Sequence, residues 1–412
     1  MFTASLTPPR SAWLWASTAL IGLAVPISTA TSNLFLVMTL LGGLFYVRAI
    51  GQTVKNQPVA QAAWLLFGAL LLGTFYGATP WREAMGLLGK YIDLAFIPLF
   101  MLMFASVSAR HWAQRAFFAA SGSILLLSYL LGLKLLPVQS WMTDLASSDN
   151  PVIFHSHITQ NNMMAMAIFL ALLNAREAVS DKLRWAWAGF AGLALFNVLF
   201  MVLGRTGYLI LFTLLTWLVW ATLARYADRR GKTWGFRQAA IIVFGMIAVI
   251  VLALQFSPRL HERVSAVGSE YQAWQPNHGE GTSTGERLDF YYNTLQIIQQ
   301  HPLAGVGTGG FTAAFAQQTA GTAAKKTPNP HNEYLMMTAQ VGLAGGMLLL
   351  YLFHTQWRSA ARLATPFAQD AARGLVLAYM VNCAFNSALL DHADGLFFAW
   401  LTALLFADTR HD

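Results

Sequence analysis

The chain has 412 residues, of which 26 are Lys or Arg and 18 Asp or Glu, so 11% are charged where an average soluble protein has about 25%. Apolar residues make up 56%, including 14 Trp, 12 Tyr and 28 Phe. This composition excludes a disordered chain, argues against a water-soluble globule and suits a polytopic membrane protein whose aromatic rings collect at the two interfaces. The single cysteine, Cys383, excludes an internal disulfide and a multi-cysteine metal site.

Apolar runs of about 20 residues can cross a bilayer as helices. They occur at 12–30, 33–49, 61–79, 86–107, 113–133, 159–176, 183–203, 206–226, 237–256, 332–354, 370–390 and 393–408. The runs are continuous rather than alternating, which excludes a β-barrel. The expected fold is an all-α polytopic membrane protein of about twelve transmembrane helices. The first run follows Arg10 and looks like a signal peptide, but no small-x-small cleavage site follows its apolar core, and it is read as retained.

Lys and Arg in short loops favour the cytoplasm. With the N-terminus inside, the inner segments carry Arg10, Arg48, Lys55, Arg110, Arg115, Arg176, Lys182, Arg184, Arg225, Arg229, Arg230, Lys232, Arg237, Arg358, Arg362, Arg373 and Arg410. The short outer segments and helix ends carry only Arg82, Lys90, Lys134 and Arg205. Both termini are therefore expected in the cytoplasm. The net charge of +8 becomes a topology signal spread over many loops rather than a nucleic-acid groove.

Residues 1–256 are thus expected to hold helices one to nine, 257–331 one large outer loop, and 332–412 the last three helices. Within the loop, 275–285 reads as irregular. From Glu286 to Gln300 the residues Leu288, Tyr291, Tyr292, Leu295, Ile297 and Ile298 recur at near-helical spacing, predicting an amphipathic helix along the outer interface. His301-Pro302 ends it, a glycine-rich turn spans Gly305–Gly310, a short helix runs from Phe311 to Gln318, and a polar stretch leads to Pro330.

Charges near hydrocarbon are costly and mark function or pairing. Arg205 stands in Gly204-Arg205-Thr206-Gly207 at the start of a membrane helix, beside free backbone N–H groups that suit an anion; the alternative is an Arg snorkelling to lipid phosphate. Arg82 and Lys90 are eight residues apart, about two helical turns. Alternatives are an interfacial Arg82 and an i, i+3 ion pair of Lys90 with Asp93. His331 precedes Asn332, a helix cap, so the dipole's positive end and nearby Arg favour the neutral ring. Gly342, Gly345 and Gly346 form a small-residue face expected to allow close helix packing. A metal site from His155, His157, His392 or Asp391 has no tight ligand spacing behind it, and no divalent-metal motif or serine nucleophile stands on the outer side. The chemistry is expected to need neither metal nor cofactor.

These patterns together resemble the O-antigen ligase family. His331-Asn332, nine further residues and Gly342-x-x-Gly345 look like the ligase His-Asn…Gly-x-x-Gly signature. The Arg205-Thr206-Gly207 turn and Glu286-Arg287, opening a helix that ends at His301-Pro302-Leu303 ahead of Gly305-Val-Gly307 and Phe311, complete the resemblance. It implies a fold similar to GT-C membrane glycosyltransferases, seated in the bacterial inner membrane with a periplasmic active site. It also implies transfer of polysaccharide from undecaprenyl diphosphate to a sugar hydroxyl of lipid A–core, without a nucleotide sugar or metal. Carried over by position, His331, Arg205 and Arg287 are the functional residues; Arg82 and Lys90 match less specifically. The chemistry fits: cations hold the diphosphate, His331 takes the hydroxyl proton, and attack opposite the leaving group inverts the sugar. An O-antigen polymerase or a protein O-oligosaccharyltransferase shares the donor. A lipid-linked-sugar transporter is disfavoured because the unusual charges gather at one interface, not at the midplane.

Overall fold

A computed structural model describes residues 12–231, 258–278 and 281–407, with scattered positions between 235 and 245. The expected run 237–256 lies largely outside the described residues, as do Arg10, Lys232 and Arg410. Among the described residues the elements are all helices. Six segments are long and apolar enough to cross a membrane: Thr29–Asn56, Trp81–Met103, Val107–Gly132, Asp181–Met201, Arg205–Arg229 and Glu333–Ala360. Pro58–Gly73 and His392–Phe406 are shorter apolar helices.

The chain begins with α1 (Ala12–Ala24), α2 (Thr29–Gly43), α3 (Val47–Asn56) and α4 (Pro58–Gly73). The expected run 12–30 is thus two elements. Helix α1 stops ahead of Pro26, which has no amide hydrogen, and α2 starts where the Ser28 hydroxyl accepts from the Thr31 amide. Helices α5 (Trp81–Lys90) and α6 (Asp93–Met103) divide the expected run 86–107 at Tyr91-Ile92. Then come α7 (Val107–Gly132), α8 (His157–Glu177), α9 (Asp181–Phe196) and α10 (Arg205–Arg229). The loop region holds α11 (Pro258–Ala273), a helix the sequence patterns did not suggest, followed by α12 (Ser283–Gln300) and α13 (Phe311–Gln318). Helices α14 (Glu333–Ala360), α15 (Pro366–Phe385) and α16 (His392–Phe406) complete the chain.

The buried centre is aromatic. Trp400 of α16 packs edge-on against Phe104 and close to Phe117 and Phe397, while its indole N–H donates to the Thr18 carbonyl of α1 at 2.8 Å. A Cβ on Gly22 would run into the Trp400 ring, so α1 approaches this closely only with glycine there. Polar groups inside the bundle pair across helices, as Gln356 does with Thr402 and Asn197 with Ser128, which suits a medium offering no water. Conversely Phe45 and Trp185 stay 83% and 74% exposed, an outside surface compatible with lipid.

Helix α14 is broken. Val341 and Gly342 leave helical geometry, Gly342 with φ +70°, and the freed backbone groups bond to the glycine-rich turn. Val306 N–H donates to Ala339 O at 2.8 Å, Gly307 N–H to Gln340 O at 2.9 Å and Leu343 N–H to Pro302 O at 2.9 Å. A side chain on Gly342 would collide with the Leu303 carbonyl. The expected small-residue face for close helix packing is corrected at Gly342, which makes a break instead, and the broken backbone is tolerated because another segment satisfies it. On the other flank Thr308 N–H and Oγ1 donate to Gly73 O and Leu70 O, at 3.0 and 2.6 Å. The loop is thereby wedged between α4 and α14, and it roofs one end of the bundle.

Candidate functional site

The starts of α8, α10, α14 and α16 gather at this roofed end. Leu203 N–H donates to Asn150 Oδ1 at 2.9 Å, and Asn332 Nδ2 donates to Ala384 O at 2.9 Å. Helix α12 forms where the sequence predicts a helix, opening three residues earlier, at Ser283. It buries Asp289, Phe290, Asn293, Thr294 and Ile297, with α13 and α14 as neighbours, and leaves Tyr292 and Leu295 exposed. Its inner face is largely polar, and of the apolar residues that predict the helix Ile297 is buried while Leu288, Tyr291 and Ile298 are half-buried. Asp289 accepts from the Trp274 indole at 3.0 Å and from Asn277 N–H at 2.9 Å.

Arg205 is the first residue of α10. Gly204 and Gly207 flank it because the buried Asn161 side chain fills the space where their Cβ atoms would stand. Arg205 Nη1 donates to Thr284 Oγ1 at 3.2 Å and lies 3.8 Å from Glu270 Oε2 on α11. Arg287, one helical turn into α12, lines the same cavity of about 250 Å³, together with Asn150, His157, Thr206 and Ser283. The carboxylates stay outside its lining. Burial lowers the Arg287 pKa, Tyr291 offsets this, and the neighbouring Arg205 lowers it further. Two guanidiniums that repel one another are thus held around one small space at a helix N-terminus, an arrangement fitted to an anion with more than one charge.

His331 belongs to the same electrostatic group. Its backbone adopts φ +52°, held by Asn329 Oδ1 accepting from its N–H at 3.0 Å and by the Tyr291 hydroxyl donating to its carbonyl at 3.3 Å. The ring stacks on Phe290 of α12 with centroids 5.8 Å apart. Burial first, then Arg287 and Lys325, push its pKa below the ordinary value of 6.5, against an opposing pull from Glu286. The neutral ring is therefore favoured, with burial the first cause and the neighbouring Arg287 the second.

Arg82 and Lys90 part company. Both are exposed on α5, whose two ends stay at the roofed end of the bundle: Pro80 and Lys90 line one cavity of about 840 Å³ with Glu83, His301, Gly305, Val306, Gly309 and Gly310. Lys90 faces this larger space, which shares no lining residue with the Arg205 cavity. Arg82 lines neither cavity. The ion pair of Lys90 with Asp93 does not form. Asp93 opens α6 on the far side of the break and lies 3.7 Å from His392 Nδ1. A link to the His331 segment does exist one residue on, where the Tyr91 hydroxyl donates to Glu333 Oε1 at 2.9 Å.

The weighed metal ligands do not converge. His155 Nε2 meets Val25 O at 2.8 Å, His392 faces Asp93, and among the described residues no group of three His, Cys, Asp or Glu is placed to hold a metal ion. His157 does enter the site, as a wall of the Arg205 cavity. Sequence reasoning weighed it only for metal, and its place just ahead of an apolar run was the available signal. Glu270 carries no signal, since no pattern points to α11, and Thr284 lies in the stretch 275–285 that reads as irregular although α12 opens at Ser283.

A helical integral membrane protein with a cationic cavity under a folded loop at one end is the class these features define. Residues 190–350 match the family described as O-Antigen ligase. The match contains Arg205, Arg287, His331 and Gly342–Gly345 and leaves out Arg82 and Lys90. A 122-residue stretch is 29% identical to an uncharacterized protein of Haemophilus influenzae, covering 28% of this chain. It spans 29% of that relative's length.

Proposed function

We propose that the chain is an O-antigen ligase: it transfers polysaccharide from undecaprenyl diphosphate to a sugar hydroxyl of lipid A–core at the periplasmic face of the bacterial inner membrane. The observation that carries this reading is the pairing of Arg205 and Arg287 around one cavity whose lining, among the described residues, includes no carboxylate. In the proposed reaction these guanidiniums hold the diphosphate and stabilise the charge that grows as the sugar–phosphate bond breaks. The neutral His331 ring takes the proton of the acceptor hydroxyl while its oxygen bonds to the anomeric carbon. The bonding electrons leave with the diphosphate, a good leaving group that needs no general acid, and attack from the opposite face inverts the anomeric centre. Neither metal nor cofactor has a step in this scheme. Lys90 serves the glycan or phosphate portions of substrate from the larger cavity, and Arg82, exposed on the same helix, adds a second cation for the same substrate. The same reading carries the twelve-span, GT-C-like topology with cytoplasmic termini and the three-part division at 256 and 331.

The family is shared by ligases and polymerases, so the test must separate them. Deleting the gene is expected to leave core without O-antigen while lipid-linked polymer accumulates, and Arg205→Ala or His331→Ala is expected to fail to restore it. Core bearing a single repeat indicates a polymerase; unchanged long-chain lipopolysaccharide overturns both readings.

A further inference from the structure

Glu333, the first residue of α14, is 0% exposed. Its Oε1 accepts from the Tyr91 hydroxyl and its Oε2 from the Leu389 N–H, both at 2.9 Å. A carboxylate shut away from water persists where hydrogen bonds replace its hydration. These two donors come from distant parts of the chain, the break between α5 and α6 and the turn between α15 and α16. Three segments thus meet at Glu333, two residues from His331. The proposed transfer step uses the His331 ring and leaves this carboxylate without a role.

The turn after α15 also carries the rest of the His331 segment. Asn329 Oδ1 accepts from Ser387 Oγ at 3.2 Å as well as from the His331 N–H. Asn332 Nδ2 donates to Ala384 O, while its Oδ1 accepts from the Leu335 N–H at 3.0 Å. Because α14 breaks at Val341 and Gly342, its first segment is only about two turns long. The remainder of the helix therefore does not fix where the His331 ring stands, and contacts at the N-terminal end must do so. We propose that Glu333 is a positioning residue for His331: by joining Tyr91 to Leu389 it sets the place of the ring against Phe290 of α12. The inference rests on the reading of His331 as the base. Tyr91 follows Lys90, which lines the larger cavity, so the same hydrogen bond fixes one edge of that cavity relative to the ring.

The test is steady-state transfer of lipid-linked polysaccharide by the full chain in membrane vesicles, taken per folded molecule and followed across pH. Glu333→Leu removes both acceptors at similar volume. It is expected to lower kcat by about 10²-fold, the cost of misplacing a reacting group by about 1 Å, while KM stays within about twofold because substrate binding is untouched. The displaced ring loses the burial and the Arg287 and Lys325 fields that together outweigh Glu286, so the acid limb of the residual rate moves to higher pH. Glu333→Gln offers its amide oxygen to the Leu389 N–H and its amide nitrogen to the tyrosyl oxygen, and is expected to restore kcat to within about fivefold. Tyr91→Phe removes one hydroxyl and keeps the ring that fills the site. It is expected to lower kcat about fivefold, the worth of one net hydrogen bond, with the acid limb moved the same way; with Glu333→Gln it decides the matter if Glu333→Leu does not fold. An unchanged kcat in Tyr91→Phe, an acid limb that stays fixed in every variant, or a Glu333→Gln rate as low as that of Glu333→Leu overturns the proposal. Full transfer by His331→Ala overturns the base reading and this proposal with it. An inactive His331→Ala beside normal Glu333→Leu and Tyr91→Phe overturns this proposal alone.

Discussion

At one end of the bundle Arg176 and Arg225 converge on a carboxylate; at the other Arg205 and Arg287 converge on each other. Asp370, 1% exposed, takes Arg176 Nη2 at 2.8 Å and Arg225 Nη2 at 2.7 Å, with Arg225 Nε at 3.1 Å. Neighbouring Arg373 lies over the Trp217 and Trp357 rings. That cluster is closed, because its ion pairs are made inside the protein and tie α8, α10 and α15 together. The outer cluster is open. Glu270 reaches Arg205 only at 3.8 Å, Arg287 feels Arg205 as a repulsive neighbour, and a cavity separates them. The same residue type thus fastens helices where its charge is matched and waits for a ligand where it is not.

Substitutions at the two ends sharpen this contrast. Arg205→Ala and Arg287→Ala are each expected to lower transfer of lipid-linked polysaccharide in membrane vesicles by about 10²–10³-fold, the usual effect of removing a donor that stabilises developing charge. Melting temperatures in detergent should hardly move. Asp370→Ala should do the reverse. It removes the one acid from between two guanidiniums and is expected to destabilise by about 3 kcal/mol, the lower end for a broken buried pair because both arginines reach solvent. Transfer per folded molecule should stay near normal. If Asp370→Ala abolished transfer at full stability, the division between fastening and binding clusters would be wrong.

The broken helix offers a third test. Gly342 has φ +70° and backs onto the Leu303 carbonyl, so Gly342→Ala combines left-handed strain with a collision and is expected to cost about 1–3 kcal/mol. A thermal melt measures the loss. Gly86 on α5 has open space around its missing Cβ, and Gly86→Ala is the control that should not lower the melt and, by its better helix propensity, should raise it slightly.

How much of this was legible follows from what each signal encodes. Apolar runs located helices well, since hydrocarbon tolerates little else, but they passed over the Pro26–Ser28 turn and the Tyr91 break because uncharged residues make both. Arg205, Arg287 and His331 stood out because charge is scarce, and the fold brings these three together. Lys90 and Arg82 stood out for the same reason, yet scarcity carries no information about which cavity a side chain faces. Apolar spacing does not reveal the polar part of the buried face of α12, because Asp289, Asn293 and Thr294 point inward, where hydrogen bonds to Asn277 and Trp274 replace water. Gly342 was noticed as a small residue, but only its backbone angle reveals the break, and the partner that satisfies it is more than thirty positions away in sequence.

The smallest expected effect addresses the protonation of His331. Its pKa is lowered by burial, then by Arg287 and Lys325, so the ring stays neutral until the pH falls below its ordinary value of about 6.5. If the neutral ring is the base, transfer declines as pH drops through that lowered value. Stability follows the same sign: between the unfolded and folded pKa values the unfolded chain binds more protons, so the histidine's contribution is present above pH 6.5 and is lost as pH falls below it. Lys325 is held by Glu286 at 2.9 and 3.1 Å. Lys325→Met removes a cation and frees a carboxylate, and both changes raise the His331 pKa. The acid limb of the rate profile should therefore move to higher pH by about 0.2–0.7 units, the size expected for a partly exposed charge pair. Glu286→Gln should move it the other way. Acid limbs that stay fixed in both variants, while Arg287→Ala still abolishes transfer, would leave the anion site intact and remove His331 as the base.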